Sequence, residues 1–362
     1  MGRAVFGREG GVDRLLRRAL AALAVLLAAV AGCTADGAGR VGSTGSPSAG
    51  DATATAGGAQ AADEPAVTLR EAARELEELL AADDVARASG EERLALELAR
   101  DGQHAVTPAI YRSADLAPPR YVWGRPTLLV PRLSEFPHWF AALVERREAD
   151  NPRAAPRTAV LVLMRDAEHV PWRLAFSSLL DEDREVPPVA LDEEGYATAL
   201  ATRDESIKIS PHLIGAVHAT IAEEGTVAFA KGLFAPGPYT TGYYTEITES
   251  RRLAKERDCM NYDSIFAATT YPVYALRLEG GGALVFYSLN RTTTWHPVLK
   301  CGEGRRLEIP KGARWLLSDP SIVAQRQIVE TQQYVSVVPG KNAAAPAEVI
   351  AFDGFVTKAS AR

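Results

Sequence analysis

The stretch that most constrains folding is residues 34–66, "TADGAGRVGSTGSPSAGDATATAGGAQAADEPA". It has no aromatic residue and only one branched aliphatic residue, Val41. A segment with so little apolar surface cannot offset the conformational entropy that is lost on ordering. Its Gly, Ser, Thr and Ala content is typical of a flexible linker with an r.m.s. reach of roughly 30 Å. The sequence therefore predicts a disordered tether over residues 33–66 and confines the packed core to the chain that follows.

The residues before the tether have the pattern of an export signal. Residues 1–18 carry five arginines and two acidic residues, and the apolar run "ALAALAVLLAAVA" occupies residues 19–31. As a helix that run would span roughly 20 Å, which is short of the hydrocarbon core of about 30 Å. The pattern predicts a secretory signal peptide over residues 1–32.

The signal ends in Val30, Ala31, Gly32 and Cys33, a tetrapeptide that resembles the lipobox of bacterial lipoproteins. The resemblance implies a diacylglyceryl group, with acyl chains such as palmitate, on the thiol of Cys33. It also implies cleavage between Gly32 and Cys33. Two acyl chains anchor a protein stably, whereas one binds only marginally. We therefore expect a lipid-anchored protein on the extracytoplasmic face of the cell membrane. The alternatives are an ordinary signal peptide with an incidental cysteine and a short membrane helix.

Charge and motifs exclude several classes of function. The whole chain has a formal charge of −6, and the leader carries a net +3, so cleavage leaves about −9. Nucleic-acid binding needs a basic patch, so no nucleic-acid partner is predicted. The chain contains no phosphate-binding loop, no G-x-S-x-G elbow, no S-x-x-K and no H-E-x-x-H. We therefore expect no cofactor, and enzymatic activity stays open with a non-enzyme favoured.

Two cysteines follow the tether, Cys259 and Cys301. An even pair in an exported protein favours a disulfide, which would stabilise the fold by about 4 kcal/mol in the chain-entropy model. Two buried free thiols are the alternative. Neither cysteine has a second cysteine or a histidine at ligand spacing, so no metal site is predicted. The acidic run at residues 181–185 lacks the spacing of a calcium loop and is expected to be a solvated connection.

Periodicity predicts the secondary structure of the body. Thr68 and Glu71 form a capping-box pattern at the start of a first helix, and apolar alternation and glycine turns mark the strands. The predicted helices are residues 68–80, 90–101, 211–224 and 243–258. The predicted strands are residues 126–132, 138–148, 158–166, 171–181, 271–279, 283–295, 332–340 and 347–359.

The order of helices followed by strands occurs twice, which indicates an internal duplication. The closing strands share similar fragments, "LAF" at residues 174–176 and "IAF" at residues 350–352. This order resembles the cone-shaped α+β fold of the NTF2-like superfamily, and it implies two tandem domains over residues 67–200 and 201–362. The whole chain is also similar to lipoproteins of high-GC Gram-positive bacteria that carry a domain of unknown function. NTF2-like catalysts share no universal motif, so the resemblance identifies no catalytic residue.

The sequence offers one candidate pocket in the C-terminal half. Tyr271, Tyr274, Phe286 and Trp295 could line it, with Asp263 as an acidic group, because aromatic faces suit apolar or sugar-like ligands. The same aromatic residues would serve equally as plain core. Asp263, or Asp353 on the last strand, could instead be a buried general base.

Three functions remain open. The leading hypothesis is a non-catalytic, lipid-anchored envelope protein that binds a partner protein or an envelope component. The alternatives are an NTF2-like isomerase or hydrolase of a small apolar ligand and an accessory protein that captures a solute for a membrane transporter. An enzyme or solute binder predicts a cavity with a carboxylate or histidine among aromatic residues. An interaction module predicts filled cones and an exposed apolar patch.

Overall fold

The computed structural model describes residues 65–114, 117–227, 230–298, 307–318, 321–322 and 325–361, with the side chains of residues 307–308 and 321–322 excepted. The predicted signal peptide, the lipidation site Cys33 and residues 33–64 of the predicted tether lie outside the described residues. All of the described residues belong to one compact unit, Ala61–Arg362.

The described chain is a mixture of helices and antiparallel strands, so the predicted α+β class is confirmed. The helices are α1 (Leu69–Ser89), α2 (Glu92–Glu97), α3 (Asp101–Arg112), α4 (Pro211–Glu224) and α5 (Thr241–Arg257). The strands of the first half are β1 (Tyr121–Trp123), β2 (Thr127–Leu129), β3 (His138–Glu148), β4 (Arg157–Arg165) and β5 (Arg173–Leu180). Those of the second half are β6 (Met260–Ala268), β7 (Tyr274–Arg277), β8 (Ala283–Pro297), β9 (Leu307–Glu308), β10 (Ser321–Ile322), β11 (Arg326–Val338) and β12 (Glu348–Ala361).

The first helix follows the rules that its sequence suggests. The Thr68 hydroxyl accepts the Glu71 N–H at 3.1 Å, so the predicted cap is present. Gly90 ends the helix in the left-handed conformation, at φ 71°, which glycine adopts without a steric penalty. Leu76 and Leu79 are buried on the inner face, and they fix how α1 packs.

Ten strands form one open, curved sheet. Its order is β1-β3-β4-β5-β12-β11-β8-β6, with β2 also paired to β3 and β7 also paired to β8. We call β1–β5 the N-terminal half-sheet, and β6, β7, β8, β11 and β12 the C-terminal half-sheet. The short strands β9 and β10 pair with each other outside this sheet.

The two half-sheets have the same internal plan. In the N-terminal half, β1 and β2 both pair with the long strand β3, and β4 and β5 follow it. In the C-terminal half, β6 and β7 both pair with the long strand β8, and β11 and β12 follow it. The halves meet where β12 pairs with the end of β5, through Ala351 with Leu180 and Phe352 with Leu179. This arrangement agrees with the repeated element order that the sequence predicts.

The half-sheets pack face to face around a central core. The rings of Trp139 and Tyr274 lie 5.0 Å apart, and those of Phe176 and Phe286 lie 5.9 Å apart. Helix α1 packs on the outer face of the N-terminal half-sheet, and α4 and α5 pack on the outer face of the C-terminal one. Burial on both faces explains why β4 is almost continuously apolar.

Helix α3 lies across the junction and packs on β5, β11 and β12. The prediction of one helix over residues 90–101 was wrong, because α2 ends at Glu97 and a new helix begins at Asp101. Gly102 looked like a helix end in the sequence. In the structure it permits close packing, since an added Cβ would lie 2.9 Å from the Gln333 amide nitrogen and 3.2 Å from the Ser288 hydroxyl.

Strand β6 forms an edge of the sheet and was not predicted. Met260, Tyr262, Ser264 and Phe266 are buried at alternate positions, which is the period of a strand with one face in the core. The Glu223 carboxylate, from α4, accepts the backbone N–H of Phe266. A side chain therefore satisfies a backbone donor of this strand.

The predicted boundary near residue 200 falls between β5 and α4, in a segment without a helix or a longer strand. The sheet nevertheless continues from one half to the other through β5 and β12. The division into domains 67–200 and 201–362 stays a prediction.

Candidate functional site

The residues predicted to line a C-terminal pocket do not meet in one cavity of the described structure. Tyr274 and Phe286 belong to the central core. Trp295 stacks on the Arg326 guanidinium at 3.7 Å, and the half-buried Tyr271 lies near Gly102 on α3. Asp263 is half-buried and pairs with Arg251. Tyr274 and Phe286 therefore have the core role that the sequence left open.

The interior between α4, α5 and the C-terminal half-sheet is filled by aromatic side chains around a buried histidine. His218 is fully buried, and its Nδ1 lies 2.8 Å from the Tyr287 hydroxyl. Its Nε2 lies 2.5 Å from the Tyr239 carbonyl oxygen, which only accepts, so Nε2 carries the proton. Tyr287 then donates to Nδ1 and accepts from Ser336 at 3.0 Å. Burial lowers the pKa of His218 to about 4, so the imidazole is neutral and structural.

A cavity of about 210 Å³ opens instead on the N-terminal half-sheet, between α1, α3 and the strands. We call it the N-terminal pocket. It has room for roughly seven water molecules, so it suits a small organic molecule rather than a drug-sized one, whose pockets occupy about 300–1,000 Å³. A narrow extension of about 20 Å³ continues between α1 and α3.

One side of the pocket is apolar. Trp123 on β1 forms part of this wall, with its ring 5.6 Å from that of Tyr121. The other large apolar lining residues come from two helices and three strands: Leu79, Leu80, Ile110, Leu161, Leu174 and Phe355. Phe355 belongs to β12, so the C-terminal half contributes to a cavity of the N-terminal half.

Two arginines hold Tyr121 between them. Arg87 lies 5.1 Å from the ring centroid and Arg146 lies 4.3 Å from it. Arg87 donates to Asp83 at 2.6 Å and to the Pro119 carbonyl oxygen at 3.0 Å, so its charge and donors are already used within the protein. Arg146 reaches the pocket from β3.

Arg146 is also placed beside like charge. It lies directly opposite Arg157 across β3 and β4, where like charges are destabilising. Among the residues that the structure describes, the side chain of Arg146 makes neither an ion pair nor a hydrogen bond. It keeps its stacking on Tyr121 and a longer-range interaction with Asp353.

Asp353 supplies the acidic group of the pocket. It lies on β12, is half-buried, and accepts the Gly354 N–H at 3.0 Å. Burial raises the pKa of its carboxyl group to about 6, although Arg146, the Gly354 N–H and Arg157 act in the opposite direction. Asp353 was considered as a buried base from the sequence, but without neighbours. The structure supplies them.

Gln103 adds an unsatisfied polar group. Its side chain is 5% exposed and lines the pocket, and its Oε1 has no hydrogen-bond partner in the structure. A buried amide oxygen without a donor costs roughly 1–3 kcal/mol. A ligand or water with a donor at this place would remove that cost.

Sequence analysis missed this pocket for identifiable reasons. Helix α3, which carries Gln103, was not predicted, and neither was the three-residue strand that carries Tyr121 and Trp123. The available signal was "YVW" at residues 121–123 facing "RRE" at residues 146–148, which places aromatic rings beside an arginine.

Other predicted features stay untested or have limited support. Cys259 lies at the start of β6, at φ 52°, but Cys301 lies outside the described residues, so their disulfide stays a prediction. Within the described ranges no group of three or more His, Cys, Asp or Glu side chains could hold a metal ion. None of the helices in those ranges combines the length and the apolarity needed to cross a bilayer.

Residues 63–361 match a family described as a domain of unknown function, DUF8094. The chain belongs to this family. It is also similar to two uncharacterized lipoproteins of Streptomyces coelicolor. It is 25% identical to SCO2278 over 44% of this chain and 45% of that protein, and 30% identical to SCO6871 over 46% of each. The chain thus spans about half the length of these relatives. No solved structure matches this DUF8094 protein.

Proposed function

We propose that this protein is a lipid-anchored cell-envelope protein that binds a small amphipathic molecule in the N-terminal pocket. The observation that carries the proposal is a cavity lined by apolar side chains, three aromatic rings and the Asp353 carboxyl group, shared between both halves of the sheet. A few convergent polar groups in an otherwise apolar cavity are typical of ligand sites. This arrangement fits solute capture better than the filled cones that an interaction module predicts.

The anchor is part of the proposal. Residues 30–33 have the lipobox pattern, and both S. coelicolor relatives are named lipoproteins. We infer that Cys33 carries the lipid, that the folded body lies on the extracytoplasmic face, and that residues 34–64 link the two. A protein or envelope component that exchanges the ligand with the pocket is a further expectation.

The tandem NTF2-like organisation is proposed on the same basis. Each half-sheet carries helices on its outer face, and the strand order is the same in both halves. We infer that one half keeps an open interior, which holds the pocket, whereas the other is filled around His218.

A small neutral probe tests the pocket. We expect 4-phenyl-1-butanol to bind the full-length protein in lipid nanodiscs, measured by isothermal titration calorimetry against empty nanodiscs. Ser177 lines the pocket on β5 and is half-buried. Ser177→Trp should fill the cavity and weaken probe binding about tenfold or more, which corresponds to about 1.4 kcal/mol.

The matched control is Val122→Trp, because Val122 is 62% exposed and lies between Tyr121 and Trp123 on the same strand. It adds the same indole outside the pocket and should leave binding unchanged. If the probe does not bind, or if both variants bind it as tightly as the wild type, the proposed pocket function is wrong.

A second candidate function is catalysis of proton transfer on the same ligand. It is favoured by the Asp353 carboxyl group, whose raised pKa of about 6 suits a general base near neutral pH. Asp353→Asn separates the two functions. A binding protein should keep its ligand affinity and show no turnover to lose, whereas an enzyme should keep binding and lose turnover of the bound molecule.

A further inference from the structure

Arg146 has a guanidinium whose N–H donors are positioned to bind an acidic ligand group. Its guanidinium lies over the Tyr121 ring at 4.3 Å. Such stacking uses the flat face of the guanidinium and leaves the N–H donors at its edge free. Since no described protein group accepts a hydrogen bond from the Arg146 guanidinium, these donors are available to a molecule in the pocket.

Asp353, unlike the Arg146 guanidinium, has a hydrogen-bond partner within the protein. It accepts the Gly354 N–H, and its charge interacts with both Arg146 and Arg157. Arg87, the other arginine of the pocket lining, already pairs with Asp83. Both carboxylates of the lining, Asp83 and Asp353, thus accept a hydrogen bond from a protein donor, whereas the N–H groups of the Arg146 guanidinium have no protein acceptor among the described residues.

We infer that the ligand of the N-terminal pocket is a small amphipathic monoanion, and that Arg146 is the residue that selects its acidic group. This inference rests on the proposed function of the pocket. The acidic group binds the edge of the Arg146 guanidinium, and the apolar part lies against Leu79, Leu161 and Phe355. A carboxylate suits the guanidinium best, because two parallel N–H donors match its two oxygens.

The Gln103 amide supports a ligand at this place. Gln103 lines the same cavity, and its Oε1 has no hydrogen-bond partner in the structure. Only 5% of Gln103 is exposed. A hydroxyl or amide N–H on the ligand would satisfy this oxygen. Free donors on Arg146 and a free acceptor on Gln103 therefore border one apolar space.

Three probes of one shape test the charge preference: 4-phenylbutyrate, 4-phenyl-1-butanol and 4-phenylbutylamine. They are titrated at pH 7.5 into the full-length protein in nanodiscs of neutral lipid, with empty nanodiscs as the blank. We expect the anion to bind about tenfold more tightly than the neutral probe, because a charge-assisted hydrogen bond contributes roughly 1.5–3 kcal/mol. The amine should bind most weakly. Equal affinities, or tightest binding of the amine, would overturn the inference.

Arg146→Gln should reduce phenylbutyrate affinity to that of the alcohol and leave the alcohol unaffected. Arg146→Lys, which keeps the charge but not the planar fork, should retain part of the preference and also serves if the glutamine variant fails to fold. The control is Arg147→Gln, since Arg147 is the exposed neighbour on the same strand and should not change any affinity. If both Arg146 variants keep the anion preference unchanged, another group selects the anion and the inference is wrong.

The two failures can be told apart. If no probe binds, or if Ser177→Trp has no effect on binding, the pocket itself is refuted. If the alcohol binds in a manner sensitive to Ser177→Trp but the anion has no advantage, the pocket stands and the role of Arg146 is refuted.

Discussion

At the scale of single residues, Asp353 shows how a carboxyl group in the N-terminal pocket lowers the stability of the fold. Its carboxyl group is held in a partly apolar cavity, and its pKa is raised to about 6. The folded protein therefore holds the Asp353 proton more tightly than the unfolded chain does. The contribution of Asp353 to the free energy of unfolding is therefore fully present below about pH 4, near the pKa of an unfolded aspartate, where the carboxyl group is protonated in both states. This contribution is lost as the pH rises through about 6, because the carboxylate is then charged inside the folded protein.

Asp353→Asn should accordingly stabilise the protein at pH 7.5 by about 2 kcal/mol and have little effect at pH 4. Urea unfolding of the wild type and the variant at both pH values measures the difference in their free energies of unfolding. The other titrating groups contribute equally to both proteins and do not affect this difference. The control is Asp263→Asn, because the side chain of Asp263 is 47% exposed and ion-paired. A stabilisation that is the same at both pH values would contradict the raised pKa.

At the scale of secondary-structure elements, α3 connects the two halves and forms a wall of the pocket. Its closest approach is at Gly102, beside Gln333 and Ser288. A larger side chain at this position must displace the Gln333 and Ser288 side chains, which are buried on β11 and β8.

Gly102→Val should therefore destabilise the protein by about 1–3 kcal/mol and weaken binding of 4-phenyl-1-butanol. The control is His104→Val, which puts the same β-branched residue at an exposed position of the same helix. Chemical denaturation and calorimetry provide the two measurements. If both substitutions have the same effect, the close packing of Gly102 does not matter for stability.

The sequence predicts elements whose pattern is local. Helices α1 and α4 and strand β3 were placed within a few residues of their bounds, except for the end of α1, because apolar periodicity and caps mark them. Helix α3 was missed because Gly102 has a tertiary role, and β6 was missed because its alternation includes polar buried residues such as Ser264. The pocket could not be predicted, since Arg146 and Asp353 come from different halves of the chain.

At the scale of the whole molecule, the two halves share one sheet and together line the N-terminal pocket. The N-terminal half provides the helices and most of the pocket wall, and β12 provides Asp353 and Phe355. A site divided in this way depends on the junction between β5 and β12. The lipid anchor is proposed to hold this whole body at the membrane through the N-terminal tether.

Cys33→Ala should release the protein into the medium or leave an uncleaved precursor when it is expressed in a Streptomyces host. Membrane fractionation and the intact mass of the product check both results. Ser43→Ala is the control, because it changes the segment after Cys33 without touching the lipobox, and it should remain in the membrane fraction. Normal cleavage and membrane retention of the Cys33→Ala protein would contradict the anchor.

The contact between Glu223 and the edge strand β6 has a consequence for such a protein. Tethering restricts many copies to a thin layer, where neighbours collide far more often than they do in free solution. Unoccupied strand edges are the places where colliding proteins join into extended sheets. Because the Glu223 carboxylate already occupies the Phe266 N–H, a neighbour that adds a strand here must first displace a charged group. The contact therefore disfavours edge-to-edge pairing of neighbouring copies at Phe266.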